Sequence, residues 1–280
     1  MRAAPSAAAS SMARSQPLHG PIPPRIMQMG PPVRAAWAAT YNRSFGSWQR
    51  HHPHWTHTLL KAGLQDNRDL ERLVSQHVPH FLSTWRRLCY GIMQIDVARV
   101  VWLYVHGGVY ADLDVEALES AAPYLEGAAV VLVANDTSHA QESGCQLRRP
   151  RCGTHMSNYF MAGVAGHPFW LALLNYTTHH VGRVCGETSE GGRLALYRVT
   201  ELTGPFAVGR SYEAVLASAP PGVAQSIRVL PPPRRRCFSC APRLSFMRSH
   251  SEVSWLKQAP RRIKRGPDSL AGSANTAKET

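Results

Sequence analysis

Residues 91–116, GIMQIDVARVVWLYVHGGVYADLDVE, decide how the rest of the chain is read. Apolar residues fill most of 92–105 and stop at Gly107-Gly108, a pair suited to ending a helix because glycine takes left-handed backbone angles without a Cβ clash. Within that helix Asp96 and Arg99 stand one turn apart and share a face. After the glycines, Val109–Leu113 reads as a strand, and Asp112 and Asp114 are expected on one strand face by the two-residue pleat. Polar groups are thus aimed from two stiff elements whose other residues are mainly Val, Ile, Leu, Trp and Tyr. A buried carboxylate needs a partner or a metal. The stretch therefore points to a paired-carboxylate site for a divalent cation.

Outside it, periodicity alternates between helix and strand. Ile22–Met29 reads as a first strand beginning after prolines. Residues 35–48 place Trp37, Tyr41, Phe45 and Trp48 at helical spacing, Pro53 stops that helix, and His54–Leu59 alternates as a strand. Asn67–Val78 reads as a helix, 128–134 as a strand, Asn158–Val164 as a strand, Pro168–His180 as a helix and Gln225–Leu230 as a short strand. A Gly- and Arg-rich loop spans about 138–154. Strands alternating with helices predict an α/β core with a mostly parallel sheet flanked by helices. In such sheets ligands sit beyond the carboxyl ends of the strands, where Asp112 and Asp114 fall. By composition 1–20 is expected to be disordered, 21–256 to form one domain, and 257–280 to be a basic, disordered tail.

With 280 residues, 44% hydrophobic and 18% charged, the chain has ample apolar content for a core. Its formal charge of +13 suits an anionic ligand such as a phosphate or nucleotide-sugar. Solvated surface charge accounts for any single Arg cluster equally well. Nucleic acid is not expected, because zinc-finger spacing, RNP-like aromatic strings and a basic helical stripe are all missing. No run approaches the roughly 20 apolar residues of a membrane span, and 1–20 lacks the unbroken apolar core of a secretory signal. Of the six cysteines, Cys145 and Cys152 flank a loop they can bridge in an oxidising lumen, and Cys237-x-x-Cys240 suits a tight disulfide or half a zinc site. Free buried thiols are the plainer reading of the set. The cluster His51, His52, His54 and His57 fits no zinc pattern and reads as core or surface histidines.

Taken together, the D-x-x-R of 96–99 and the G-G-x-Y-x-D-x-D of 107–114 resemble the signature of glycosyltransferase family 32, DXD-containing sugar transferases of GT-A fold that include fungal α-mannosyltransferases. Ile22–Gln28 resembles that family's opening strand, with Met27 where His is usual. Asn158–Ala162 with Gly166-His167-Pro168-Phe169, Thr203-Gly204-Pro205, and His250 through Trp255 resemble further blocks, in order along the chain.

The resemblance implies a metal-dependent, retaining transfer of a hexose from a nucleotide-sugar (GDP-mannose or a UDP-hexose) to a glycan, glycolipid or protein acceptor, with Mn2+ or Mg2+ as cofactor. It implies that Asp96, Arg99, Asp112 and Asp114 carry the reaction. Asp112, Asp114, His250 and Ser254 would hold the metal. Ile26, Gln28, Asp96, Arg99, Tyr110, Asp112, Asn158 and Trp255 would meet the donor. Structural alternatives stand beside these roles: an i,i+3 ion pair for Asp96 and Arg99, turn geometry for the glycine pair, and core packing for Tyr110. A haloacid-dehalogenase-like phosphatase also uses D-x-D but has Thr where Glu116 stands, and a non-catalytic nucleotide-sugar-binding scaffold is the third possibility. By resemblance the compartment is the Golgi or another secretory lumen, though a cytoplasmic chain also fits the sequence, and the basic tail suits a membrane surface.

Overall fold

The computed structural model describes residues 20–31, 39–62, 67–135, 155–186, 192–232 and 244–250. The expected disordered ends, the loop cysteines Cys145 and Cys152, the pair Cys237 and Cys240, and Ser254 and Trp255 lie outside the described residues.

In chain order the elements are β1 (Arg25–Gly30), α1 (Ala39–His51), β2 (Thr56–Lys61), α2 (Arg68–His77), α3 (Leu82–Arg87), α4 (Gly91–His106), β3 (Gly108–Ala111), β4 (Val115–Ala117), α5 (Ala122–Leu125), β5 (Val130–Ala134), β6 (Met156–Gly163), α6 (Pro168–Gly186), α7 (Gly192–Leu202), α8 (Pro205–Ser218), α9 (Pro221–Gln225), β7 (Ile227–Leu230) and β8 (Met247–Ser249). Six strands form one sheet in the order β2-β1-β3-β6-β5-β7, and β4 pairs with β8 in a small second ladder. β1 runs parallel to β2 and β3, β5 runs parallel to β7, and β6 is antiparallel to both of its neighbours. Five strands therefore end at one edge of the sheet, as a mostly parallel α/β core requires.

Alternation along the strands builds two apolar layers. Met27, Met29, Tyr110, Val130, Leu132 and Met161 face a layer completed by α2, α4, α6 and α8. Ile26, Val109, Ala111, Val131, Val133, Phe160 and Ala162 face the layer that holds Trp48 of α1. A strand buried on both faces must be apolar at every position, which is why residues 130–133 read Val-Val-Leu-Val. α1 is tied to the small ladder by polar contacts as well. The Trp48 indole donates to the Val115 carbonyl at 2.7 Å, and the Ala117 N–H donates to Ser47 Oγ at 2.8 Å.

The Gly107-Gly108 turn is dictated by geometry. Gly107 has φ +63° and Gly108 φ +99°, and a Cβ at Gly108 would lie 2.7 Å from the Arg25 carbonyl oxygen and 2.3 Å from its Cγ. Only glycine lets α4 reverse directly into β3 while β3 lies against β1.

One finding differs from the sequence reading, and one settles which of its alternatives holds for His52. Cys89, just before α4, is bonded to Cys185 near the end of α6, across 96 residues, so these two are not free thiols. His52 of the histidine cluster is a buried joint: its Nδ1 meets the Trp48 carbonyl at 3.1 Å and its Nε2 accepts the Ala121 N–H at 2.8 Å. Among the described residues, no helix is long and apolar enough to cross a membrane.

Reducing the Cys89–Cys185 bond is expected to cost about 2–4 kcal/mol, because the open chain regains loop entropy. A fall in melting temperature under reductant, matched by the Cys89→Ser/Cys185→Ser variant, checks this. Burial also lowers the pKa of both His52 and His167 to about 4. A depressed histidine pKa means the unfolded chain takes up the proton first, so the stability from these groups is whole above pH 6.5 and is lost as pH falls toward 4. Denaturation midpoints measured from pH 7 to pH 4 should therefore fall, and His52→Gln should flatten the fall.

Candidate active site

Asp112, Leu113 and Asp114 form the turn that leaves β3 for β4, closed by the Val115 N–H donating to the Asp112 carbonyl at 3.0 Å. The shared strand face expected for the two aspartates is thus replaced by a turn, because β3 ends at Ala111. Two neighbours hold this turn at the sheet edge. The Asp112 N–H donates to the Tyr159 carbonyl at 2.8 Å, and the Gln28 amide donates to the Asp112 carbonyl at 3.3 Å.

Beneath the turn lies Arg99. Its Nη2 is 2.9 Å from Asp96 Oδ1 and its Nη1 is 3.2 Å from Asp112 Oδ1. Nη1 also donates to the Asn158 carbonyl at 2.7 Å, and the guanidinium lies 4.5 Å from the centre of the Tyr110 ring. Tyr110 donates its hydroxyl to Asp112 Oδ1. Asp112 is therefore gripped on one oxygen from inside while its side chain is 32% exposed, against 4% for Arg99 and for Asp96.

Asp96 is enclosed by protein donors. Oδ1 accepts from Arg99 and from the Asn158 amide at 3.1 Å, and Oδ2 accepts from the Thr203 hydroxyl at 2.9 Å. Burial pushes its carboxyl up to about 7, with Arg99 and Thr203 pulling the other way. For Arg99, burial works against the charge, but Tyr110, Asp112, Asp96 and Asp114 outweigh it and hold the guanidinium above its usual range. Burial raises the Tyr110 phenol well above its usual range. This end of the sheet thus sets three carboxylates against one shared guanidinium.

The structure brings most of the expected residues together. Asp96, Arg99, Tyr110, Asp112 and Asn158 form one connected network, with Gln28 at its margin. His250 is carried to the turn by the β4/β8 ladder: its N–H donates to the Asp114 carbonyl at 3.1 Å and its ring pairs with Glu116 at 2.8 Å. Ile26 is a correction. It is 1% exposed in the Trp48 layer, two residues or roughly 6–7 Å back from Gln28 along β1, so its side chain packs the core. Met27, where a histidine is usual, is likewise buried, in the α4 layer. The sequence reading did not count Thr203 or Glu116 as site residues. The Thr203-Gly204-Pro205 block was the signal for the first. Nothing local marks the second, whose partner lies 134 residues away.

Among the described residues, no three His, Cys, Asp or Glu side chains gather closely enough to hold a metal unaided. The donor chemistry still fits a small hard dication. Mg2+ and similar ions are often held by one or two carboxylates, with substrate phosphates filling the shell. Asp112 and Asp114 in an edge turn supply that pair.

Residues 39–131, which run from α1 into β5 and contain this turn, match the family described as the glycosyltransferase sugar-binding region containing the DXD motif. That stretch is similar to DXD-containing glycosyltransferases. The chain is 28% identical over 129 residues to mannosyl phosphorylinositol ceramide synthase CSH1 of Saccharomyces cerevisiae, a span covering 46% of this chain and 28% of that one. It is 27% identical over 134 residues to HOC1 of the same organism, covering 44% and 31%. The chain thus spans under a third of the length of the curated relatives it matches. Among solved structures it resembles the PaToxG glycosyltransferase, at 12% identity and a TM-score of 0.47 over 74% of this chain and 75% of that one. It also resembles the glycosyltransferase domain of the YGT toxin, at 9% identity and 0.46 over 75% and 80%.

Arg99→Ala is expected to cost about 3–5 kcal/mol, because it strands a buried carboxylate without its cation. Urea denaturation of the purified variant checks this. A loss below about 1 kcal/mol, the level of an exposed pair, would mean that the network does not hold the turn.

Proposed function

We propose that this chain is a metal-dependent glycosyltransferase that moves a hexose from a nucleotide-sugar to an acceptor hydroxyl. The observation that carries the proposal is the Asp112–Leu113–Asp114 turn, set at the carboxyl edge of a mostly parallel sheet and gripped from below by Arg99 and Tyr110. Its occurrence within the stretch related to DXD-containing transferases supports the same reading.

In this proposal Asp112 and Asp114 hold Mn2+ or Mg2+, with His250 and Ser254 completing the protein side. The bound ion supplies neutralisation of the charge that grows on the diphosphate as the glycosidic bond breaks. Asp112 is positioned before the donor arrives, because Arg99 and Tyr110 fix one oxygen and leave the side chain partly open to ligand. Such preorganisation avoids rearrangement during the reaction. Asp96 and Arg99 are spoken for by protein partners, so contact with sugar hydroxyls requires a donor to exchange with Asn158 or Thr203. Gln28 and Asn158 border the same edge, and Trp255 is assigned to the diphosphate by its block.

The relative named mannosyl phosphorylinositol ceramide synthase favours a mannose donor and a glycolipid acceptor over the other candidates. Retention at the anomeric carbon is part of the proposal. The Cys89–Cys185 bond supports an oxidising secretory lumen as the compartment, and the basic segment 257–280 suits contact with an anionic membrane surface.

Mn2+ with GDP or UDP should raise the melting temperature by more than either component alone. Asp114→Ala should abolish nucleotide-sugar hydrolysis while keeping the wild-type circular dichroism. Failure of every metal and nucleotide pair to stabilise the wild-type chain would favour a non-catalytic scaffold.

A further inference from the structure

Asp96 is held from two sides, and each support leads to an aromatic ring. Its Oδ1 accepts from Asn158 of β6, and its Oδ2 accepts from Thr203, just after α7. His155 stands three residues before Asn158, and Phe206 three residues after Thr203, in the first turn of α8. Their rings meet edge to face, with centroids 4.1 Å apart at 65°. Tyr197 of α7 adds a third ring, 6.2 Å from Phe206 at 61°. Three residues of extended chain span roughly 10 Å, so the row neighbours the Asp96 network. The Asn135 N–H, just past β5, donates to the His155 carbonyl at 2.8 Å. The row therefore continues the line of carboxyl strand ends that carries the Asp112–Asp114 turn, the edge where ligands gather in such sheets.

Three properties separate this row from ordinary core packing. Tyr197 is 39% exposed, and among the described residues only Leu216 is another large hydrophobic left so open. His155, by contrast, is 8% exposed, and its Nε2 has no hydrogen-bond partner among the described residues, although a buried polar atom normally finds one. Arg210, one turn beyond Phe206, pairs with Glu213 at 3.0 Å, and both side chains are partly open to solvent. Both lie close enough to His155 to act on its charge, and burial with Arg210 holds its pKa below the usual histidine value. An open aromatic face beside polar groups suits a sugar ring. The negative face of the aromatic ring attracts the C–H groups on one side of the sugar, and the sugar hydroxyls take up donors and acceptors at its rim. An acyl chain would leave those polar groups unanswered.

We propose that His155, Tyr197 and Phe206 form a subsite that seats a sugar ring of the acceptor. Tyr197 offers the open face, Phe206 fixes its angle, and the Arg210–Glu213 pair meets the hydroxyls. Seating a sugar there also gives the His155 nitrogen a hydroxyl partner. The inference rests on the transferase reading above and names the acceptor side of that site. Asn158 and Thr203 tie the row to Asp96, so the two halves of the site share one support.

Saturation-transfer NMR on the full chain tests it, with methyl α-mannoside, methyl α-glucoside, methyl β-galactoside and myo-inositol as probes and no metal or nucleotide present. At least one probe is expected to receive saturation on its ring C–H protons from the wild-type chain. Tyr197→Ala should weaken that binding by about 3–10-fold, the loss of one aromatic contact, while Tyr197→Phe keeps it. Because Tyr197 is partly exposed, both variants are expected to keep the wild-type circular dichroism. Saturation of none of the four probes, or equal affinity in Tyr197→Ala, overturns the subsite. Stabilisation of the wild type by Mn2+ and a nucleotide, without sugar binding, overturns the subsite and leaves the transferase reading standing. Sugar binding lost in Tyr197→Ala, without that stabilisation, leaves a sugar subsite on a chain that is not a transferase.

Discussion

A single buried guanidinium organises this molecule's working edge. Arg99 remains charged in any protein environment, so burying it obliges the surrounding elements to supply acceptors. Asp96 comes from its own helix, Asp112 from the turn after β3, and the Asn158 carbonyl from β6. Two neighbouring parts of one stretch and β6, 59 residues further on, therefore converge on one side chain. The half-buried aspartate pair inherits its position from the core.

That convergence depends on how closely α4 runs into β3. Gly107 alone lies between them, and it and Gly108, the first residue of β3, both adopt backbone angles that a Cβ would oppose. A Cβ at Gly107 would lie 2.7 Å from the Ala165 nitrogen, and one at Gly108 would strike Arg25. A longer connection would free α4 to rotate about its axis and carry Arg99 away from Asp112. The glycine pair is thus a structural requirement of the site without touching a ligand.

Much of the fold was legible because its periodicities are strong. α2, α4, β5 and β6 fall where the apolar pattern placed them, since α2 shows one buried stripe through Leu70 and Val74 and β5 is apolar on both faces. The short elements β4, α5 and β8 were not legible. Each is too brief to show a period and exists through partners such as the Trp48 indole on Val115. The direction of β6 was equally hidden, because a strand buried on both faces has the same apolar content whichever way it runs. At the site, Asp96, Arg99 and Asp112 were readable from spacing. Thr203 and Glu116 were not, since each acquires its meaning from a contact more than a hundred residues away.

By itself the sequence determined the local geometry around residues 91–116: a helix face carrying Asp96 and Arg99, a glycine reversal and an aspartate pair at a strand end. Backbone sterics and apolar periodicity act over a few residues, so a linear reading captures them. Tertiary structure alone decided that the aspartates sit in a turn, that Asp96 is enclosed by Thr203 and Asn158, and that His250 meets Glu116. Those outcomes follow from burying charged groups in a shared low-dielectric interior, where each must find whatever partner packing brings within reach.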